Sequence, residues 1–137
     1  MITLATLETA TAQEVFDQIA THLLTQKARS IEARSNLEKD VCAYRGNGGL
    51  KCAAGCLISD EEAELLKLAD EKINTLPWSC LITRGVATDK HYSLISALQA
   101  IHDHEHFVPE EDWVFELKKL AEQRKLNSEV LGQFKNK

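Results

Sequence analysis

Helix-start signals followed by regularly spaced apolar residues constrain this chain more than any other feature of its sequence. Thr11 followed by Glu14 has the spacing of a capping box and predicts a helix that runs to about Lys27. Its apolar residues recur at intervals of three and four and therefore share one face: Val15, Phe16, Ile19, Ala20, Leu23 and Leu24. A chain that buries such a face folds around packed helices.

Comparable signals predict further helices along the rest of the chain. Ser59 with Glu62 has capping-box spacing and predicts a helix from Asp60 to about Ile73. Pro77 predicts the start of a short helix that Gly85 ends, and Thr88 predicts the start of a helix that bears Tyr92. Pro109 predicts a helix that bears Trp113, and Asn127 or Ser128 predicts a last short helix to about Phe134. The charged stretch 28–40 is weakly periodic, and we interpret it as a loop or connector.

Residues 42–58, here called the cysteine segment, hold three of the four cysteines and four of the six glycines. Its first part is typical of a short strand and its glycine run suits a turn, which predicts a β-hairpin at about 41–53. A three-residue loop would set Cys42 opposite Cys52, whereas a two-residue loop would set it opposite Ala53. The stretch after the turn either extends this hairpin or begins a helix.

These elements predict a mainly α fold, in which five or six helices and one small hairpin form a compact single domain over residues 1–137. A chain of this length buries roughly two thirds of its unfolded surface. The net charge of -5, from 16 basic and 21 acidic side chains, argues against broad nucleic-acid binding. We predict no signal peptide and no membrane span, hence a cytoplasmic protein with reduced thiols; its oligomeric state stays open.

The cysteines allow three interpretations. A zinc ion could be bound by Cys42, Cys52, Cys56 and His102, which would form a set of three cysteine ligands and one histidine ligand. The C-x9-C-x3-C spacing, however, is not a standard zinc-binding pattern. Cys52 could instead be a nucleophile if it lies at a helix N-terminus beside Lys51, with a histidine as base. Free cysteines are also among the most buried residues. We favour burial and predict no cofactor, with zinc as the alternative.

A second cluster starts at His102 and Asp103 and continues through residues 104–106, His-Glu-His. On a helix His102 and His106 could chelate one ion, and a His-Asp pair is typical of metal phosphohydrolases. Those enzymes need a further upstream histidine in a helical context that this sequence does not supply. Histidines in the last turn of a helix also interact favourably with its dipole, which is the interpretation we favour.

Tyr44, Arg45 and Asn47 are the predicted interaction residues. Tyrosine and arginine beside a glycine turn are residue types enriched at binding hot spots. The alternative is that Tyr44 packs on the core while Arg45 pairs with a carboxylate.

The run C-A-Y-R-G-x-G-G-L-K-C-A-A-G-C-L-I, followed by S-D-E-E and later by L-Q-A-I-H-D and a helix that bears tryptophan, resembles a group of small uncharacterised proteins of bacteria and their phages. The resemblance extends from the first predicted helix to Leu131. The residues that match the recurring motifs of the group are Cys42, Tyr44, Arg45, Gly46, Cys52, Ala53, Gly55, His102 and Asp103. The resemblance implies a cytosolic setting and an origin in a phage or another mobile element, and it carries over no catalytic role.

Three classes of function are consistent with this sequence. We favour a non-enzymatic interaction or inhibitor protein that acts on a host or defence protein, because the chain is small and acidic and has no catalytic signature. The first alternative is a metal- or thiol-dependent enzyme built from the three cysteines of the cysteine segment, His102 and Asp103. The second is a sensor or binder of a small molecule in a pocket beside the hairpin.

Overall fold

A computed structural model describes residues 1–28, 31–32, 41–46, 49–68, 72–103 and 110–134. Over these residues the predicted mainly helical architecture is confirmed. The α-helices are α1 (Ala12–Gln26), α2 (Asp60–Leu65), α3 (Trp78–Thr83), α4 (Tyr92–Asp103) and α5 (Trp113–Gln123). Short 3-10 helices cover Leu7–Thr9, Ala54–Leu57, Lys72–Thr75, Glu110–Asp112 and Glu129–Phe134. No helix in the described ranges is long and apolar enough to cross a bilayer.

Helix α1 begins and ends as its sequence predicts. The Thr11 hydroxyl accepts a hydrogen bond from the Glu14 backbone N–H at 3.1 Å, and the Glu14 carboxylate accepts one from the Thr11 N–H at 2.9 Å. Lys27 ends the helix in the left-handed conformation, with φ at 53°. All six apolar residues of the predicted face are buried, and α1 packs against α4, α5 and the 3-10 helices Ala54–Leu57 and Glu129–Phe134. This helix therefore lies in the middle of the core.

Helix α2 has its predicted capping box but ends well before Ile73. The Ser59 hydroxyl accepts from the Glu62 N–H, and the Glu62 carboxylate accepts from the Ser59 N–H. Lys67 then takes a left-handed φ of 56°, and the Leu68 N–H donates to the Ala63 carbonyl at 3.1 Å. Leu68 is 2% exposed, so the turn that ends the helix brings this leucine into the core.

The later helices follow their signals with small shifts. Pro77 directly precedes α3, and Gly85 closes it with φ at 77°. Helix α4 begins four residues after Thr88, because His91 adopts a left-handed φ of 63° and directs the chain into the helix. The last predicted helix is a 3-10 helix, whose first N–H, that of Glu129, donates to the Asn127 side chain at 3.1 Å. Pro109 lies outside the described residues.

The predicted hairpin at 41–53 is not supported. Two short strands, β1 (Ile31–Glu32) and β2 (Val41–Cys42), pair antiparallel, so that Cys42 lies opposite Ile31 and not opposite Cys52 or Ala53. A single antiparallel bridge joins Arg45 to Lys51. Strand β1 also lies within the stretch that we interpreted as a connector.

Contacts from distant parts of the chain explain the absence of a hairpin ladder. The Tyr44 N–H donates to the Asn74 carbonyl at 3.0 Å, and the Asn74 side chain bonds both the N–H and the carbonyl of Arg45, each at 3.0 Å. On the other side, the Gln26 side chain accepts from the Lys51 N–H at 3.0 Å. Backbone groups that would form the ladder are thus bonded elsewhere, and the chain after Cys52 turns into the 3-10 helix Ala54–Leu57.

Candidate ligand-binding site

The 3-10 helix Ala54–Leu57 lies directly against the backbone at Tyr44, and a glycine makes this approach possible. A Cβ atom placed on Gly55 would lie 2.4 Å from the Tyr44 carbonyl oxygen. The Gly55 N–H donates to the Cys52 sulfur at 3.3 Å. The two parts of the cysteine segment therefore pack backbone against backbone, as only a residue without a side chain allows.

Tyr44 points inward and is 4% exposed. Its hydroxyl donates to the Leu76 carbonyl, and its ring meets that of Trp78 edge to face, with 6.1 Å between centroids. Burial raises the pKa of Tyr44, and the nearby Cys52 raises it further. The interpretation of Tyr44 as an outward contact residue is therefore replaced by the packing alternative.

Arg45 also follows the alternative reading, because it pairs with a carboxylate. Its guanidinium donates to the Ile58 carbonyl and to the exposed Asp60, which Lys51 approaches to 3.7 Å. The Arg45 hydrogen bond, with a smaller contribution from the Lys51 charge, holds the pKa of Asp60 below its usual value. Asn47, the third predicted interaction residue, lies outside the described residues.

Helix α4 connects to the cysteine segment through a chain of hydrogen bonds. The Gln99 side-chain oxygen accepts from the Ala54 N–H at 2.8 Å, while its amide nitrogen donates to the Asp103 carboxylate at 2.6 Å. The same carboxylate lies 2.7 Å from the Nδ1 of His102. His102 is fully buried and its ring stacks on Trp113, with 6.1 Å between centroids. The Asp103 carboxylate is thus held in place from two sides, whereas residues 104–106 of the predicted histidine cluster lie outside the described residues.

A pocket of about 400 Å³ opens between this network, α3 and the start of the cysteine segment. Its aromatic walls are Tyr44, Trp78 and Tyr92, and its polar lining is Asn74, Thr75, Ser79, Ser96, Gln99 and Asp103. Cys52 also lines it, although its overall exposure is only 2%. Of the predicted site residues, the structure therefore brings Tyr44, Cys52 and Asp103 to one pocket, with His102 bonded behind the carboxylate.

Cys56 lies at a different site from Cys52. It borders an open trough of about 1130 Å³ along α1 and the N-terminal residues, and its carbonyl accepts from the Gln18 side chain at 3.1 Å. Burial raises the pKa of the Cys56 thiol to about 12. A thiol with such a pKa is protonated at neutral pH and is a poor nucleophile or metal ligand.

Among the residues that the structure describes, no three side chains of histidine, cysteine, aspartate or glutamate lie close enough together to bind a metal ion. Cys52 and Cys56 border different cavities, and the side chain of Cys42 is not among those described. The zinc alternative accordingly stays a prediction.

The trough along α1 is the larger of the two cavities, and three of the polar side chains that line it bond the protein's own backbone. His22 Nε2 lies 2.8 Å from the Lys51 carbonyl, and Gln26 bonds both the N–H and the carbonyl of Lys51. Gln18 likewise bonds the N–H and the carbonyl of Ile2. Burial also lowers the pKa of His22, which disfavours its charged form. The smaller pocket differs from the trough in its aromatic lining, because Tyr44, Trp78 and Tyr92 border it and no such ring borders the trough among the described residues.

Two residues that shape the pocket, Gln99 and Trp78, are not among the predicted site residues. Gln99 and Asp103 are four apart on α4, a spacing at which side chains of one helix meet, so their contact could have been predicted. Trp78 lies in the first turn of α3. Its contact with Tyr44 joins residues 34 positions apart and has no local signal.

Comparisons of the chain with protein-family models, with curated proteins and with solved structures found no match.

Proposed function

We propose that this protein acts by binding a small molecule in the pocket between α3, α4 and the cysteine segment, and not by covalent chemistry. The pocket carries this proposal, since its volume of about 400 Å³ falls in the range of small-ligand sites. Its walls combine three aromatic rings with a few polar groups, which is the usual composition of such sites. A binder or sensor of a small molecule was one of the alternatives that the sequence left open.

The surroundings of the cysteines and of His102 support binding over catalysis. A thiol nucleophile needs a lowered pKa and a base within hydrogen-bond reach. The Cys56 thiol has a raised pKa, and Cys52 is only 2% exposed, so little of its side chain is open to a substrate. His102 is buried against Trp113 and bonds its neighbour Asp103. These groups hold the walls of the pocket together.

Blocking the pocket tests the proposal. Ser96 lines it on α4, so Ser96→Phe places a ring in the space that a ligand would occupy. Ser93→Phe is the control, because Ser93 lies exposed on the same helix and outside this lining. It removes the hydrogen bond from Arg124 to the Ser93 hydroxyl and adds a ring at a separate cavity, so it measures the general effect of a new ring on α4. A mixture of small cationic, neutral and anionic fragments is screened by ligand-observed NMR against the unchanged protein and both variants, whose folding is checked by circular dichroism.

We expect at least one fragment to bind the unchanged protein and the Ser93→Phe variant, and to lose binding to Ser96→Phe. A screen in which no fragment depends on Ser96 in this way would overturn the proposal.

A protein-interaction or inhibitor role, which the sequence favoured, is the second candidate and is supported by two exposed apolar side chains. Leu65 is 83% exposed beside the exposed carboxylates of Glu61 and Glu64. Phe115 is 65% exposed on α5, and the Lys119 ammonium lies 5.6 Å from its ring centroid. The carboxylates beside Leu65 would suit a partner with a basic rim.

The two candidates make different predictions for a pair of surface substitutions. Under the interaction role, a partner that co-purifies with the unchanged protein in a one-to-one ratio is lost from a Leu65→Ser/Phe115→Ser variant. Under the ligand-binding role alone, both proteins co-purify with the same set of molecules, and the fragment screen is unaffected.

A further inference from the structure

The charge of the pocket lining indicates which class of ligand it receives. Asp103 is the one charged side chain among the described residues that line the pocket. Its side chain is 35% exposed, and its Oδ1 accepts from the Gln99 amide and lies 2.7 Å from His102 Nδ1. A carboxylate held in a partly enclosed space attracts a cation more strongly than one in open water does.

The aromatic walls favour the same kind of ligand. The rings of Tyr44, Trp78 and Tyr92 line the pocket, and the negative face of an aromatic ring attracts ammonium and guanidinium groups. The nearest cationic side chain of the segment, that of Arg45, is not in the lining and already bonds Asp60 and the Ile58 carbonyl. The described residues of the lining include no lysine, arginine or histidine.

From this lining we infer that the pocket binds a small organic cation, an amine or a guanidinium compound, with the charged group at Asp103 and the apolar part between the aromatic rings. This inference rests on the proposed ligand-binding function and narrows it to one class of ligand. The net charge of -5 acts in the same direction, because it raises the local concentration of cations at the protein surface. The Asp103 carboxylate would repel an anion in the same position.

Three probe molecules of similar shape separate the effect of ligand charge on affinity from the effect of ligand shape. Benzylamine, which is protonated at neutral pH, benzyl alcohol and benzoate share one aromatic ring and differ in the charge of their short arm. Isothermal titration calorimetry with the unchanged protein should give the highest affinity for benzylamine and the lowest for benzoate. We expect benzylamine to bind about tenfold or more tightly than benzyl alcohol, as a charge-assisted hydrogen bond would give.

Substitution of the carboxylate locates the effect. Asp103→Asn keeps the shape of the side chain and removes its charge, so it should weaken benzylamine binding by about tenfold or more and change benzyl alcohol binding by about twofold at most. Asp112→Asn is the matched control, because Asp112 is exposed and lies outside the pocket lining. It should leave all three affinities unchanged.

The outcomes distinguish this inference from the function on which it rests. If the three probes bind equally and all lose binding to Ser96→Phe, the pocket binds ligands but the cation preference is wrong. If benzoate binds best, the preference is also wrong. If no probe binds and the fragment screen finds no ligand that depends on Ser96, the ligand-binding function itself is overturned. Because the unchanged protein alone decides the order of the three probes, the inference stays testable even if Asp103→Asn fails to fold.

Discussion

Gly55→Ala is the substitution whose effect the structure predicts most sharply. The added Cβ would lie 2.4 Å from the Tyr44 carbonyl oxygen and 3.1 Å from both the Tyr44 carbonyl carbon and its Cα. Ordinary contacts lie about 1 Å farther apart, so one of the two backbones must shift by roughly that distance. All three atoms belong to the main chain, and no rotation of a side chain can relieve the contact.

The backbone at Tyr44 is held firmly, and this sets the magnitude. Its N–H donates to the Asn74 carbonyl at 3.0 Å and its hydroxyl to the Leu76 carbonyl, so a shift strains both hydrogen bonds. Overpacking of this kind costs about 3 kcal/mol. Alanine regains about 1 kcal/mol of helical preference over glycine. The free energy of unfolding should therefore fall by about 2 kcal/mol, and the Tm by about 8 °C for a chain of this size.

Urea unfolding followed by far-UV circular dichroism measures this change. Gly132→Ala is the matched control, because Gly132 also lies in a 3-10 helix but has no atom within 4 Å of its added Cβ. The control should be neutral or slightly stabilising. If Gly55→Ala unfolds at the same urea concentration as the control, the two backbones do not approach each other as closely as described. The placement of Tyr44 in the pocket wall would then be contradicted as well.

Three further predictions concern buried polar groups and thiols. Asn74→Ala removes two hydrogen bonds to the Arg45 backbone and should lower the free energy of unfolding in urea by about 2 to 4 kcal/mol. Asn127→Ala, at an exposed helix cap, is the control and should lower it by about 1 kcal/mol. Equal decreases would contradict the buried network. Burial raises the pKa of Glu62, but hydrogen bonds from backbone donors, including the Ser59 N–H, outweigh it and hold the pKa below its usual value. The charged carboxylate therefore stabilises the fold at pH values above the usual glutamate pKa of about 4.3. This contribution is lost as the pH falls through the lower pKa of the folded protein. Glu62→Gln should therefore cost about 1 to 2 kcal/mol at neutral pH and less in acid, and a cost independent of pH would refute this linkage. The Cys56 thiol has a pKa of about 12, against an ordinary 9.0, and so forms about 1000-fold less thiolate at neutral pH. Iodoacetamide should therefore label Cys56 far more slowly in the folded protein than in the urea-unfolded chain, as measured by mass spectrometry of its peptide. Equal labelling rates would contradict the burial of this thiol.

The starts of α1 and α2 follow from the sequence alone, because a capping box depends on residues three apart. Thr11 with Glu14 and Ser59 with Glu62 both form the capping boxes that their spacing predicts. The buried face of α1 was likewise readable from its spacing, since side chains three and four apart share a face whatever lies opposite. Five or six helices in a mainly α chain follow from such local signals.

Pairings between distant residues were decided only by the tertiary structure. Asn74 bonds the backbone at Arg45, 29 residues away, and this contact replaces the predicted hairpin ladder. The left-handed Lys67 shortens α2 because Leu68 reaches the core from that turn. Neither outcome has a signal in neighbouring residues.

The pocket shows the same division. The sequence marked Cys52, His102 and Asp103 as residues with reactive or metal-binding side chains, but their roles depend on what the fold places beside them. The tertiary structure separates Cys56 from Cys52 into different cavities and sets Asp103 among aromatic rings from α3, α4 and the cysteine segment. Residue chemistry is a property of the chain, whereas the environment that selects one use of it arises from contacts between residues far apart in sequence, and only folding creates those contacts.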